Sequence, residues 1–426
     1  MSGNLKIRSS IPEGIITIPG SKSQTIRAMV IGSLAKGESV IKKPLLSGDT
    51  LACLKGLENL GVSSTNIAGE QSILKLNGTG GKFKKYSKVI NVENSGTSLR
   101  ILTAIASISK NTFKFDGDSS IRRRPMQTLL SALYDIGATV DSQDGHAPLS
   151  ISGPLRGGKT MIDGISSQFL TALLLASPLA VGDTEIDVID LHEKPYVEMT
   201  LKWLDEQKIN YTNKDFKHFV IKGGQSYTPF SIDISGDFSS ATFPLVAAAI
   251  TGGKIEINGL DFDDLQGDKR IFNIMKKMGT SIVQNKKKVI VKGGHLEGMV
   301  LDLNDIPDSL PALAIAGCAA KGETRLLNVE QARLKESDRI SVICSELKKM
   351  GAQIYELDHG LVIEKSDLTG TIVNGFNDHR IVMALSLAGM IASGETLIKN
   401  GAGSLNMTYP SFVSDFRKLG VDISIV

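Results

Sequence analysis

Hydrophobic and polar positions fall along this chain in two interleaved series. In the first, a few small polar or charged residues lead into a stretch of Ala, Leu, Ile and Val that usually ends near a Gly. Ser21-Lys22-Ser23 precedes Ala28–Ala35, Asn94-Ser95-Gly96-Thr97 precedes Ile101–Ile108, and Ser166-Ser167-Gln168 precedes Phe169–Val181. Asp237-Phe238-Ser239-Ser240 then precedes Ala241–Ile250, Pro307-Asp308-Ser309 precedes Leu310–Ala320, and Asn377-Asp378-His379-Arg380 precedes Ile381–Ala392. These starts recur about every 70 residues, which marks an internal repeat. Helices this uniformly apolar belong inside a protein.

The second series is amphipathic. Thr50–Gly61, Arg123–Gly137, Tyr196–Lys208, Asp268–Gly279, Glu336–Gly351 and Ser411–Gly420 carry apolar residues at helical spacing with charges between them, as Leu129, Leu130, Leu133 and Ile136 illustrate. Five of the six finish with a Gly, the usual left-handed helix stop. Short alternating runs such as Ile255-Glu256-Ile257 and Val289-Ile290-Val291 read as strands.

Each unit therefore predicts two helices and several strands, repeated six times. Two groups of three units make an α/β chain of two similar domains, with the apolar helices buried and the amphipathic ones outside. The change of domain falls near Gly224–Ser235, where Gln225-Ser226-Tyr227-Thr228-Pro229 reads as a loop. Residues 19–233 then form the first domain, and 1–18 with 234–426 the second. The opening strands go with the later units because the last unit stops at Val426, short of its share of sheet.

Composition narrows the class. A chain of 426 residues with 41% hydrophobic and 22% charged residues is globular and large enough for two cores. Lys and Arg number 48 against 45 Asp and Glu, so a net charge of +3 argues against nucleic acid or an anionic membrane as partner. Cys53, Cys318 and Cys344 form no C-x-x-C and sit among apolar neighbours, as core residues in a reduced compartment do. Met1 to Gly14 has no apolar signal region, and Phe169–Val181 is too short to span a bilayer, so the expectation is a soluble cytoplasmic protein.

A polar residue at the start of a buried helix is by itself a cap. Six such starts together carry more. If the inner helices of each domain point the same way, their positive ends converge on one face, and two such faces form a cleft suited to a multiply anionic small molecule. Lys22, Arg27, Arg100 and Arg380 flank these starts, while Arg122-Arg123-Arg124-Pro125 and Arg333-Leu334-Lys335-Glu336-Ser337-Asp338-Arg339 open outer helices. Lys84-Lys85 and Lys286-Lys287-Lys288 read instead as solvated faces. Gly20-Ser21-Lys22-Ser23 departs from a nucleotide-binding loop because Ser21 separates the Gly from the Lys. No dinucleotide fingerprint and no H-x-x-x-H pair is present, so neither a nucleotide cofactor nor a metal is expected. Asp308, Glu336 and Asp378 are the acid–base candidates, each beside a cation or a helix start. The residues alone point to an enzyme acting on small phosphorylated, carboxylated substrates, with its reaction unnamed.

At these residues the chain resembles the enolpyruvyl transferases, over essentially its whole length. The anchors are Pro19-Gly20-Ser21-Lys22-Ser23 with Arg27, Asn94-Ser95-Gly96-Thr97 with Arg100, Arg124-Pro125, Ser166-Ser167-Gln168-Phe169-Leu170 and Lys194-Pro195-Tyr196. They continue with Gly236-Asp237, Ser239-Ser240, Ile306-Pro307-Asp308, the segment from Arg333 to Arg339, and Asn377-Asp378-His379-Arg380. The resemblance implies two domains of three βαβαββ units with buried parallel helices and the active site in the interdomain cleft. It implies transfer of the enolpyruvyl group of phosphoenolpyruvate to the 5-hydroxyl of shikimate 3-phosphate by a monomer without metal or organic cofactor.

Carried onto matching positions, Lys22, Ser23 and Arg27 contact the shikimate phosphate and ring, and Ser166, Ser167 and Gln168 complete that pocket. Lys22, Gly96, Arg124, Gln168, Arg339 and Arg380 hold phosphoenolpyruvate. Asp308 accepts the 5-hydroxyl proton, Glu336 with Lys22 serves the methylene carbon, and Lys335 binds the shikimate phosphate. Three positions depart from the family pattern. Glu193 stands where a Ser is usual, Gln331 where an Asn is usual, and Met407 where a Lys is usual. The relative acting on UDP-N-acetylglucosamine usually carries a reactive Cys before its Arg-Pro motif, and Asp116–Arg124 has none here. A non-catalytic anion-binding scaffold is the alternative from another class, at odds with the retained Lys22, Asp308, Glu336 and Arg380.

Overall fold

A computed structural model describes residues 3–69, 72–285 and 288–426; Met1 and Ser2, at the head of the polar start, and Lys286 and Lys287 of the solvated run lie outside them. Among the described residues the chain forms twelve α-helices: α1 Lys22–Leu34, α2 Gly48–Asn59, α3 Gly96–Ala106, α4 Gln127–Asp135, α5 Ser167–Ala176, α6 Lys194–Glu206, α7 Phe238–Thr251, α8 Arg270–Met278, α9 Leu310–Ala319, α10 Arg339–Lys349, α11 His379–Ile391 and α12 Phe412–Lys418. The odd-numbered helices are the apolar series. In α9 every residue from Leu310 to Cys318 is buried.

Six four-stranded sheets accompany these helices, one for each unit. In a complete unit the first strand, Gly158–Asp163, pairs parallel with Thr184–Ile189 across α5. Two antiparallel strands after α6, Tyr211–Lys214 and His218–Ile221, close the sheet. This is a β-α-β-α-β-β order. The inner helix lies close to its sheet, and small residues permit it. A Cβ on Gly317 would come within 3.2 Å of Ile363 and Thr324, and one on Gly389 within 3.0 Å of Ile7.

The chain divides into two compact units, Met1–Pro19 with Ser235–Val426, and Gly20–Ile234. Each has its own apolar core. Leu5–Arg8 pairs with both Glu395–Lys399 and Ile423–Ile425, completing the last sheet. Glu13–Thr17 pairs parallel with Lys254–Asn258 as the leading strand of the α7 unit. Ser231–Asp233 pairs parallel with Val40–Lys42 as the leading strand of the α1 unit. The leading strand of each of these two units thus sits far in sequence from the rest of its sheet.

Several helix bounds differ from the sequence reading by one or two residues, and three differ by more. The helix expected from Arg123 begins at Gln127 instead. Arg124 is extended (ψ 130) because the following Pro125 disfavours helical backbone before it. The helix expected from Glu336 begins at Arg339, where the Asp338 carboxylate caps the Ser341 amide. The apolar stretch to Val181 stops being α-helical at Ala176, ahead of a 3-10 turn at Ser177–Leu179 that contains Pro178.

Candidate active site

In the Gly20–Ile234 unit, hydrogen bonds tie the starts of α1, α2 and α3 together. Ser21 caps α1, and Lys22 follows as its first residue. The Lys22 ammonium lies 3.0 Å from the carboxylate of Asp49 in the first turn of α2. The Asp49 carbonyl accepts the Ser98 hydroxyl at 3.1 Å, and Ser98 in turn accepts from Ser95, the α3 cap, at 2.7 Å. Asp49 thereby holds a cation on its side chain and a helix start on its backbone.

Gly96 opens α3. A Cβ there would lie 2.6 Å from Arg124 Nη1 and 3.0 Å from Arg100 Nη1, so both guanidinium groups flank the first helical residue. Arg124 is held by Asn94 at 2.9 Å and by Ser120 at 3.2 Å. Arg100 donates to the Gln168 carboxamide at 2.6 Å and stacks over the Phe169 ring at 5.0 Å. Two buried guanidiniums beside a helix N-terminus make a patch that favours an anion.

Ser166 occupies the cap position of α5 without making a side-chain cap hydrogen bond. Ser167 donates its hydroxyl to Glu193, the cap residue of α6, at 2.6 Å. Arg27 is buried among backbone and hydroxyl acceptors: Ser23 O at 3.0 Å, Tyr196 O at 2.7 Å and Thr200 Oγ1 at 3.0 Å. Its guanidinium ties α1 to α6, a positioning task alongside the substrate contact that the resemblance implies. Ser23 shares the first turn of α1 with Lys22.

In the other unit the starts of α7, α9 and α11 meet through charged side chains. The buried Asp268 carboxylate accepts from Ser239 at 2.5 Å and from Ser309 at 3.0 Å, joining the first turn of α7 to the start of α9. Arg380, in the first turn of α11, donates to the Ser239 carbonyl at 2.9 Å and lies 3.4 Å from Asp308. Asp308 itself sits in the 3-10 turn Pro307–Ser309 ahead of α9.

Arg339 is the hub of this unit. Nη1 donates to Asp308 at 2.8 Å, Nη2 to Glu336 at 2.6 Å and Nε to Asp378 at 2.9 Å. The side chain is 1% exposed. Burial works against its charge, but Asp378, Glu336 and Asp308 outweigh it, so its pKa lies well above the ordinary arginine value. Asp378 was an acid–base candidate. It is fully buried, caps the Arg380 amide at 2.9 Å, and accepts from Ser337 at 2.9 Å as well as from Arg339. That is a positioning role.

Lys335 is half-buried in extended backbone after the 3-10 turn Glu330–Leu334, and Gln331 is buried there with its carboxamide donating to the Asn304 carbonyl at 2.9 Å. Arg333, one of the expected basic cluster, instead binds Asp338 and Glu356, each at 2.8 Å. Met407 is half-buried at the end of the 3-10 turn Ala402–Met407.

Lys22, Ser23, Arg27, Gly96, Arg124, Ser166, Ser167 and Gln168 thus lie in one unit, and Asp308, Gln331, Lys335, Glu336, Arg339 and Arg380 in the other. Sequence reasoning passed over Asp49 and Asp268, whose only signal is an acid at the start of an outer helix. It also left Arg100 without a role, although the residue shares a helix with Gly96. Among the described residues no group of three or more His, Cys, Asp or Glu is placed to hold a metal, and no helix is long and apolar enough to cross a membrane.

The family profile described as EPSP synthase (3-phosphoshikimate 1-carboxyvinyltransferase) matches residues 8–416. This chain belongs to the EPSP synthase family. It is 48% identical over 422 residues to the 3-phosphoshikimate 1-carboxyvinyltransferase of Acetivibrio thermocellus, covering 99% of each chain. It is 46% identical over 424 residues to that of Ruminiclostridium cellulolyticum, covering 99% of this chain and 100% of the other. Among solved structures, an EPSP synthase from Acinetobacter baumannii superposes with a TM-score of 0.84 at 27% identity, covering 100% of both chains.

Proposed function

We propose that this chain transfers the enolpyruvyl group of phosphoenolpyruvate to the 5-hydroxyl of shikimate 3-phosphate, releasing phosphate, in the pathway towards chorismate. The observation that carries the reading is the single guanidinium of Arg339 holding Asp308 and Glu336. Two carboxylates set beside cations, one ahead of the buried α9 and one ahead of the outer α10, suit a reaction that moves one proton off an oxygen and another onto a carbon.

The substrates together bring two phosphates and two carboxylates. At an effective dielectric near 20, two unit charges about 4 Å apart repel by about 4 kcal/mol, so fixed cations and helix ends are needed to hold them together. Lys22, Arg124 and Gln168 beside Gly96 receive phosphoenolpyruvate with Arg339 and Arg380. Ser23, Arg27, Ser166, Ser167, Gln331 and Lys335 serve shikimate 3-phosphate. Asp308 takes the 5-hydroxyl proton as the oxygen bonds to the central carbon of phosphoenolpyruvate. Lys22 and Glu336 deliver a proton to the methylene carbon, forming a tetrahedral adduct. Loss of that proton and cleavage of the carbon–oxygen bond to phosphate complete the exchange. The protein works as a cytoplasmic monomer without a cofactor in this reading.

Phosphate release from phosphoenolpyruvate, measured with shikimate 3-phosphate and separately with UDP-N-acetylglucosamine, tests it. Turnover with shikimate 3-phosphate is expected. Turnover only with the sugar nucleotide, or with neither, overturns the assignment.

A further inference from the structure

The segment that carries Lys335 and Glu336 is closed at its base by an ion pair between its two ends. Arg333 Nη1 donates to one oxygen of Asp338 at 2.8 Å, and the other oxygen caps the Ser341 amide at 3.1 Å in the first turn of α10. The same guanidinium reaches the hairpin of strands Ile354–Leu357 and Gly360–Glu364. Nη1 is shared with Glu356 at 2.8 Å and Ser341 Oγ at 3.1 Å, Nη2 donates to the Leu357 carbonyl at 2.8 Å, and Nε to the Asp358 carbonyl at 3.0 Å. An isolated exposed ion pair adds little to stability. Here one planar group, 25% exposed, binds two carboxylates and two backbone carbonyls at once, a geometry that an ammonium cannot reproduce.

Leu334 to Ser337 span the gap between the clasped ends. Arg339 holds the Glu336 carboxylate at 2.6 Å, and Asp378 accepts the Ser337 hydroxyl at 2.9 Å. Those bonds fix side-chain tips, whereas the clasp fixes the backbone from which the side chains project. We propose that Arg333 is a positioning residue for Glu336: its ion pair with Asp338 and its bonds to the hairpin hold the main chain that aims the Glu336 carboxylate at the carbon receiving a proton. Arg333 acts through Glu336 and binds no substrate itself. A proton donor works only within hydrogen-bond reach, and a displacement of about 1 Å costs on the order of a hundredfold in rate. This inference rests on the assignment of enolpyruvyl transfer with Glu336 as proton partner of the methylene carbon.

A double-mutant cycle on turnover of phosphoenolpyruvate with shikimate 3-phosphate tests it. Arg333→Met, close in length but without charge or donors, is expected to lower kcat about tenfold in the wild-type background. In Glu336→Gln, whose residual turnover no longer runs through that carboxylate, the same change is expected to lower kcat by less than about twofold. A merely structural role would lower kcat equally in both backgrounds. Equal losses in the two backgrounds, or no loss in the wild type, overturn the proposal. Circular dichroism checks that the variants fold. Should Arg333→Met not fold, Glu356→Gln loosens the clasp while keeping the Arg333–Asp338 pair and takes its place in the same cycle, with a loss of about threefold expected only where Glu336 is present. Absence of wild-type turnover overturns the functional assignment instead, so the two failures are distinct.

Discussion

Arg339 donates to Asp308 at 2.8 Å from the same guanidinium that holds Glu336 at 2.6 Å, so the two carboxylates proposed for acid–base work share one planar scaffold. An ammonium cannot reproduce that fork. Arg339→Lys is therefore expected to lower kcat on the order of a hundredfold and to destabilise the fold by about 1–3 kcal/mol, because Asp378 loses bonds inside the core. Steady-state kinetics and urea unfolding check both parts. A variant with wild-type kcat would show that the scaffold does not position the chemistry.

Lys22 lies against Asp49 at a helix start, within the expected phosphoenolpyruvate and shikimate sites. Lys22→Ala is expected to reduce turnover by about 10²–10⁴-fold while circular dichroism stays that of a folded protein. Full activity would remove Lys22 from the mechanism.

All three cysteines are buried. Burial pushes the Cys53 and Cys318 thiols up to about 12, with smaller opposing contributions from hydrogen bonds. At pH 8 both are thus neutral and weakly nucleophilic. A thiol-reactive dye should label neither in the native protein and all three cysteines after denaturation. Rapid native labelling of either would contradict the core placement.

Met407 stands where the resemblance leads one to expect a Lys. Met407→Lys is expected to tighten phosphoenolpyruvate binding by about 1–3 kcal/mol, the range for a hydrogen bond to a charged group. The KM for phosphoenolpyruvate is the readout, and an unchanged value counts against the expectation that a cation at this position contacts phosphoenolpyruvate.

Five amphipathic helices stop at a left-handed Gly: Gly61, Gly137, Gly279, Gly351 and Gly420. The sixth stops at Lys208, which is exposed and has φ 57. An L side chain in that region costs about 1 kcal/mol relative to Gly. Lys208→Gly should raise unfolding stability by about 0.5–1 kcal/mol, measured by denaturant titration. A loss of stability would mean that the Lys208 side chain contributes more than its backbone strain removes.

The sixfold succession of inner and outer helices was legible in the sequence, because burial writes a continuous apolar run into one helix and a 3.6-residue stripe into the next. Helix ends were legible where a Gly or a polar cap marks them. The start of α4 was not, since Pro125 displaces it through a local steric effect that hydrophobic periodicity does not record.

The amino-acid sequence alone determined the repeat, the α/β class and the family, since each is a pattern of residue types along one dimension. Tertiary structure decided which charges meet. Asp308, Glu336 and Asp378 come from separate segments and converge on Arg339. Ser167 and Glu193 find each other only once α5 and α6 pack. It also decided that Glu13–Thr17 and Ser231–Asp233 each lead a sheet whose other strands are distant in the chain. Hydrogen bonds and ion pairs depend on separations of a few ångströms, and only the packing of cores brings remote residues that close.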